Sequence, residues 1–151
     1  MIGYASQRWA AILWLLLALF VLRVAGQLAV AYFDVAWLPP MEEWYSGLIP
    51  YRPLLAAQII IIGVYAKVCV DFQRGAGFFV TARPVFGRGV LISGYVYFVG
   101  MVFRYMVRMA MLPDERWLGG CIPIVFHWVL ASFIIVFGHY HRSHIHMEGT
   151  P

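Results

Sequence analysis

The chain has 151 residues, of which 63% are hydrophobic, 17% aromatic and only 12% charged, and its mean hydropathy is +0.79. A water-soluble domain carries about twice that charged fraction, so the composition excludes an ordinary soluble protein and indicates an integral membrane protein. The formal net charge of +4 is explained by membrane topology, so we discount nucleic acid as a partner. Because the length provides only four spans of about 20 residues, we expect a single domain over residues 1–151.

Four apolar segments in chain order predict four transmembrane helices. The first starts like a signal peptide, with Arg8 ahead of the apolar stretch, but its length favours an uncleaved helix. The second opens with Pro53, which suits a first helical turn, and the third is stopped by Pro113. The four segments cover about residues 9–33, 53–72, 89–112 and 120–139. The predicted fold is therefore all-α, a polytopic membrane protein built as a four-helix bundle.

The connections between these spans differ in the sign of their charge. The basic residues of the N-terminus, the second connection and the tail are Arg8, Arg74, Arg83, Arg88 and Arg142. The acidic residues of the first and third connections are Asp34, Glu42, Glu43, Asp114 and Glu115. By the positive-inside rule both termini are cytoplasmic, the first and third connections face outward, and residues 140–151 form a cytoplasmic histidine-rich tail.

Aromatic residues characterise both longer connections. The first has prolines and the boundary-seeking side chains Trp37, Trp44, Tyr45 and Tyr51, so we expect it to lie folded on the outer surface as an anchor, or else as a binding surface. The second interleaves arginines with phenylalanines, which is typical of an interfacial segment held by anionic lipid head groups.

Six polar or charged residues fall in the outer half of the predicted spans. They are Arg23, Gln27, Gln58, Arg104, Arg108 and His127. Each charge within a span costs a few kcal/mol on insertion scales, about 2.5–3.5 for arginine at a helix centre, and needs a partner or a route to water. Arg23 and Gln27 are four residues apart, as are Arg104 and Arg108, so each pair shares one helical face.

Two interpretations of this polar set stay open. If both faces point into the bundle, the helices enclose a cationic chamber open to the outside, suited to a carboxylate, a phosphate head group or a quinone carbonyl. Alternatively, the arginines pair with the carboxylates of the outward connections, or Arg108 extends to the outer head groups.

The histidines indicate a functional site less strongly than the polar set does. Spans one to three contain none, so a haem held between two histidines on different helices is not expected. His127 is expected to form a hydrogen bond with a neighbouring helix, or to donate one to a quinone. The tail has enough imidazoles for a zinc, copper or nickel site, although a solvated tail is the simpler interpretation. The candidate ligands are His139, His141, His144 and His146.

Two short motifs in the first half of the chain resemble the DoxX-like group of small bacterial four-helix membrane proteins. Leu22, Arg23 and Gly26 form a shortened version of its first-span motif, and the run from Gly47 to Pro50 resembles the end of its outer loop. The lysine expected after the first-span glycine is absent. The resemblance implies an accessory or redox-associated subunit and little chemistry of its own, in the inner membrane of a bacterium.

These observations favour a small accessory subunit of a larger membrane complex, such as a respiratory or photosynthetic electron-transfer assembly. The partners would be other membrane subunits and membrane lipids. The alternative is a ligand-binding membrane protein or small transporter, whose arginine-lined pocket holds an anionic, lipid or quinone-like molecule. No nucleophile–base pair, paired catalytic carboxylates or complete metal site can be assembled from the sequence, so an enzyme is the least favoured class.

Overall fold

A computed structural model describes residues 2–33, 35–44, 50–81, 83–111 and 122–143, with the backbone alone for residues 2–6, 84 and 143. The helices are α1 (Ile2–Phe33), α2 (Met41–Trp44), α3 (Tyr51–Arg74), α4 (Pro84–Met111) and α5 (Ile122–Ser143). Four of them are long and apolar enough to cross a membrane: Gln7–Phe33, Tyr51–Arg74, Val85–Met111 and Ile122–Arg142. The predicted all-α, four-helix membrane bundle is therefore confirmed, and the chain is a multi-pass membrane protein. The orientation of the bundle stays a prediction.

The helix bounds depart from the predicted spans at several places, the largest at α1, which begins at Ile2 rather than near residue 9. α4 begins at Pro84, five residues before the predicted start, because proline is well tolerated in a first helical turn. α5 continues to Ser143, four residues beyond the predicted end, and Tyr140 and His141 are buried against the bundle. The first residues of the predicted tail therefore belong to the last helix. The predicted start of the fourth span, at residue 120, lies outside the described residues.

One buried stripe on α1 organises the bundle. Its members are Ala10, Leu13, Leu17, Phe20, Val24 and Gln27. They alternate in steps of three and four residues, which is the spacing of a helix that packs along one seam against its neighbours. α1 packs along this length against both α3 and α5, so it lies at the centre of the helix arrangement. Gln27 is the one polar member of the stripe.

The half of the bundle near the second connection has an apolar, aromatic core. Phe72 is fully buried and packs against the rings of Phe137 and Tyr140, with centroids 5.9 and 4.4 Å away. One level further along, Tyr65 of α3 stacks on Phe133 of α5 with a centroid distance of 3.8 Å. These ring contacts join α3 to α5 and close the three-helix core around α1.

α4 lies outside this core and packs mainly against α5. Glycines let the two helices approach closely, as in many membrane helix pairs. A Cβ added at Gly138 would lie 2.9 Å from backbone atoms of Leu91, and one at Gly94 would lie 2.9 Å from the side chain of Ile135. The opposite face of α4 exposes Val96, Val99 and other apolar side chains, as expected for a helix that faces lipid or another subunit.

The second connection is tied to the core. Asp71 is buried, pairs with Lys67 and accepts a hydrogen bond from the backbone N–H of Phe79 at 3.4 Å. α3 ends at Gly75, whose positive φ of 64° provides the left-handed turn that glycine favours. The Tyr140 hydroxyl donates to the carbonyl of Val80 at 3.2 Å. The predicted interfacial segment is therefore a folded cap on this end of the bundle.

Candidate functional site

A buried polar cluster of Arg23, Gln27 and Gln58 lies between α1 and α3. The Arg23 Nη1 donates to Gln27 Oε1 at 2.5 Å, and the Gln58 Nε2 donates to the same oxygen at 3.1 Å. The exposed fractions of the three side chains are 7%, 0% and 5%. One glutamine oxygen therefore joins two helices and a guanidinium inside the bundle.

The sequence positions these side chains at matching depth. Gln27 occupies the buried stripe of α1, and Arg23 is one helical turn earlier on a neighbouring face. Gln27 lies about 9 Å from the end of α1 and Gln58 about 10 Å from the start of α3, at 1.5 Å per residue. Because α1 and α3 are joined at that end, the two amides meet at one level of the bundle.

Trp44 covers the buried polar cluster. Its backbone carbonyl accepts a hydrogen bond from Arg23 Nη2 at 2.7 Å, and its indole N–H donates to the carbonyl of Pro39 at 2.9 Å. A Cβ added at Gly26 would lie only 2.7 Å from the indole ring, so the ring sits directly on the glycine. The sequence interpretation placed Trp44 at the membrane boundary. That position stays a prediction, but Trp44 is 8% exposed, whereas Trp37 in the same connection is 83% exposed.

The cationic charge of Arg23 has no anionic partner among the described residues: its hydrogen bonds go to an amide and a carbonyl, and no carboxylate pairs with it. The ring of Phe126 lies 6.0 Å from the guanidinium carbon and adds a weak cation–π contact. Four buried polar atoms here have no hydrogen-bond partner in the described part of the chain. They are Arg23 Nε, Gln27 Nε2, Gln58 Oε1 and the Tyr51 hydroxyl.

An unpaired buried charge is expensive. Burying an ion costs several kcal/mol even after relaxation, and a buried polar atom without a partner costs about 1–3 kcal/mol more. A bundle that served only to pack its helices would do better with apolar side chains at these positions. The cluster therefore combines a positive charge, N–H donors and a carbonyl acceptor that lack partners among the described residues.

The structure does not bring all six predicted residues together. Arg104 and Arg108 lie on α4, which packs mainly against α5 rather than against α1 or α3. Arg104 is exposed and makes no hydrogen bond or ion pair with a described residue, whereas Arg108 is half-buried and has a partner. Arg104 and Arg23 both lie within electrostatic range of His127, although no hydrogen bond among the described residues joins Arg104 to the buried polar cluster, so the single chamber stays a prediction. Of the predicted acidic partners, Asp34, Asp114 and Glu115 lie outside the described residues.

His127 joins α5 to α4. The Tyr97 hydroxyl and His127 Nδ1 are 2.5 Å apart, and the two rings meet edge to face. This is the hydrogen bond to a neighbouring helix that the sequence analysis expected of a lone membrane histidine. His127 follows Phe126, whose ring faces Arg23, so the histidine borders the buried polar cluster without a hydrogen bond to it.

The histidines near the end of α5 point in different directions. His139 Nε2 lies 3.1 Å from the Tyr95 hydroxyl of α4, whereas His141 is buried and its Nδ1 accepts from the backbone N–H of Arg83 at 3.3 Å. Residues two apart on a helix lie on nearly opposite faces, so these two cannot share one ion. His144 and His146 lie outside the described residues, and no group of three or more potential metal ligands occurs within the described part.

Comparison with protein families, with curated proteins and with solved structures finds no match for the chain. The resemblance to the DoxX-like group therefore rests on the two short motifs quoted above. Arg23 and Gly26 of the first motif are both placed at the site, as the guanidinium of the buried polar cluster and the glycine under the Trp44 indole.

Two site residues were missed by sequence reasoning. Trp44 belongs to a connection rich in boundary-seeking aromatic residues, so its pattern did not distinguish it from Trp37. Tyr97 lies in an apolar span where a tyrosine is unremarkable. A sequence signal did exist for Trp44, since Gly26 leaves a gap in the α1 surface next to Arg23 that a large ring can fill.

Proposed function

We propose that the protein binds a small anionic group, either a free anion or a lipid head group, in the buried polar cluster. The observation that carries this proposal is the buried Arg23 guanidinium, which has no carboxylate partner in the described residues and keeps its Nε free. Arginine is well suited to this task because its planar fork recognises carboxylate and phosphate oxygens.

Access to the cluster runs through the first connection. The free polar atoms are fully buried, and the Trp44 carbonyl occupies one of the Arg23 donors. An incoming anion therefore displaces Trp44, together with the short helix α2 that carries it. A one-turn helix held by a few contacts is cheap to move, because local opening costs least where few apolar contacts are buried.

The test is the retention of a bound anion by Arg23 variants. Wild-type protein extracted in mild detergent and examined by native mass spectrometry should carry an anionic molecule, and Arg23→Gln should lose it. Arg104→Gln is the matched control, because it removes an equivalent charge that lies exposed on α4. Retention of the molecule by Arg23→Gln, or equal loss from both variants, would contradict the proposal.

A second candidate function is an accessory subunit of a larger complex in the inner membrane of a bacterium. The observation that favours it is Arg104, an exposed arginine within a spanning helix, since charge at that depth is normally covered by a partner. Gly100 lies nearby with open space around it, which suits close approach by another helix. Stable partner subunits in the same mild extract would support this role, and a monodisperse small oligomer would oppose it.

A further inference from the structure

The hydrogen-bond directions within the buried polar cluster are determined by one residue. Arginine can only donate, so Gln27 must turn its carbonyl oxygen toward Arg23. Gln58 contacts the same oxygen, so it must present its amide nitrogen. Flipping Gln27 would set its N–H donors against those of Arg23 and Gln58, and flipping Gln58 would set two carbonyl oxygens against each other.

This constraint defines which atoms remain for a ligand. Arg23 Nε and Gln27 Nε2 remain as donors and Gln58 Oε1 remains as an acceptor, and the Tyr51 hydroxyl, which can donate or accept, also has no partner among the described residues. The side chains of Arg23, Gln27 and Gln58 meet at a single atom, Gln27 Oε1, so their free atoms belong to side-chain groups in direct contact. The site therefore presents positive donors and an acceptor side by side.

We infer that the ligand of this site is a hydroxyl-bearing oxyanion, a carboxylate or phosphate ester with a hydroxyl group on a nearby carbon. This inference rests on the proposed function. The oxyanion takes the donors of Arg23 and Gln27, and the hydroxyl donates to Gln58 Oε1. An oxyanion without a donor leaves that buried oxygen without a hydrogen bond, which weakens its binding.

The same argument disfavours a quinone as the ligand. A quinone offers two carbonyl acceptors and no donor, so it leaves Gln58 Oε1 unpaired and brings no charge to Arg23. A quinol offers donors but is neutral, so the guanidinium keeps its uncompensated charge. An anion with its own hydroxyl matches the free atoms of Arg23, Gln27 and Gln58, and its oxygens can also accept from the Tyr51 hydroxyl.

The experiment uses the full chain in nanodiscs of phosphatidylcholine and three matched pairs of probes. The free-anion pairs are lactate against propionate and glycerol 3-phosphate against propyl phosphate. The lipid pair is phosphatidylglycerol against phosphatidylpropanol. Affinities are measured by the ligand-dependent rise in unfolding temperature and by occupancy in native mass spectrometry. In at least one pair we expect the hydroxylated member to bind about fivefold to tenfold more tightly, the value of one hydrogen bond. The pair that responds identifies a soluble or a lipid source.

Variants at Gln58 and Arg23 separate this inference from the proposed function. Gln58→Met should abolish the preference for the hydroxylated probe and keep the weaker binding of the probe that lacks the hydroxyl. If Gln58→Met misfolds, Gln58→Asn replaces it, because asparagine withdraws the amide by one methylene. Arg23→Gln should abolish binding of both members. Equal binding of each pair to the wild type, or a preference that survives at Gln58→Met and Gln58→Asn, would overturn the inference and leave the anion site standing. Binding of no probe, or binding that survives Arg23→Gln, would overturn both.

Discussion

At the scale of single residues, the unusual feature is that the protein buries the cationic side chain of Arg23. Arg23 donates to Gln27 and to the Trp44 carbonyl, and these neutral groups compensate only part of the cost of removing a guanidinium from water. Lysine at this position would carry its charge and its three donors on one nitrogen, whereas arginine spreads five donors over three nitrogens in a fixed plane. The Arg23 side chain therefore joins α1 to Trp44 by a hydrogen bond and keeps its Nε donor without a partner among the described residues.

Gly26 determines how Trp44 sits on this arginine. Replacing it with alanine would place a methyl group 2.7 Å from the indole ring, so Gly26→Ala should push the ring away and weaken the bond between Arg23 and the Trp44 carbonyl. We expect a loss of about 1–3 kcal/mol of stability, as for other overpacked sites. Fluorine NMR of protein labelled with 5-fluorotryptophan checks whether the Trp44 ring has moved, because the chemical shift of its signal depends on the surroundings of the ring. The Trp44 signal is assigned through Trp44→Phe.

Gly63→Ala is the matched control for that experiment. Gly63 also lies within a spanning helix, but an added Cβ meets nothing within 4 Å. The Trp44 signal should therefore be unchanged in Gly63→Ala. An unshifted Trp44 signal in Gly26→Ala would show that the indole is not held against α1.

At the scale of the helices, the pairing of α4 with α5 depends on glycines, which have no side chain to hold the backbones apart. Gly87, Gly94 and Gly138 bring the two backbones together, and Tyr97 and His127 add a hydrogen bond across the same interface. Close backbone approach is a main source of helix association in a membrane, where the surrounding lipid is as apolar as the helices themselves.

Gly138→Ala tests this helix pair. Its methyl group would lie 2.9 Å from the backbone of Leu91, which cannot rotate away as a side chain could. The helices must separate, and we expect a cost of about 1–3 kcal/mol in the free energy of unfolding, measured by denaturation in mixed micelles. Gly100→Ala on the open face of α4 should leave stability equal or up to about 1 kcal/mol higher, since alanine is the better helix former. Equal stability of Gly138→Ala and the wild type would contradict the close packing.

The helix scale also explains why the sequence could not decide how the predicted chamber is arranged. Sequence spacing correctly placed Arg104 and Arg108 on one face of one helix, because helical periodicity is local. It could not tell which neighbour that face meets. The glycines orient α4 toward α5, so Arg104 is left exposed while Arg23 is buried between α1 and α3.

At the scale of the whole molecule, the two ends of the bundle differ in chemistry. The end near the second connection is filled with aromatic rings such as Phe72 and Phe137, and the other end contains the buried polar cluster. Exposed arginines, among them Arg74 and Arg88, surround the aromatic end. The apolar contacts of the aromatic half are more extensive, so local opening should cost least in the polar half.

The arginine distribution predicts that the aromatic end is cytoplasmic. Single cysteines at Trp37 and Phe78, whose side chains are 83% and 61% exposed, test this in a background with Cys69 and Cys121 replaced by alanine. In intact cells a membrane-impermeant maleimide should label Trp37→Cys and should label Phe78→Cys only after permeabilisation. The reverse pattern would place the buried polar cluster near the cytoplasm and contradict an outward-facing site.

The amino-acid sequence by itself determined the class of this protein, because span number depends on the length and apolarity of segments that each satisfy their own backbone hydrogen bonds. It also identified Arg23, Gln27 and Gln58 as a polar set, since charge and amides stand out in apolar spans. Only the tertiary structure decided that these three meet, that Trp44 covers them, and that the α4 arginines lie elsewhere. Those facts depend on which helix faces touch, and contact across the bundle is set by small residues and docked connections far apart in the chain.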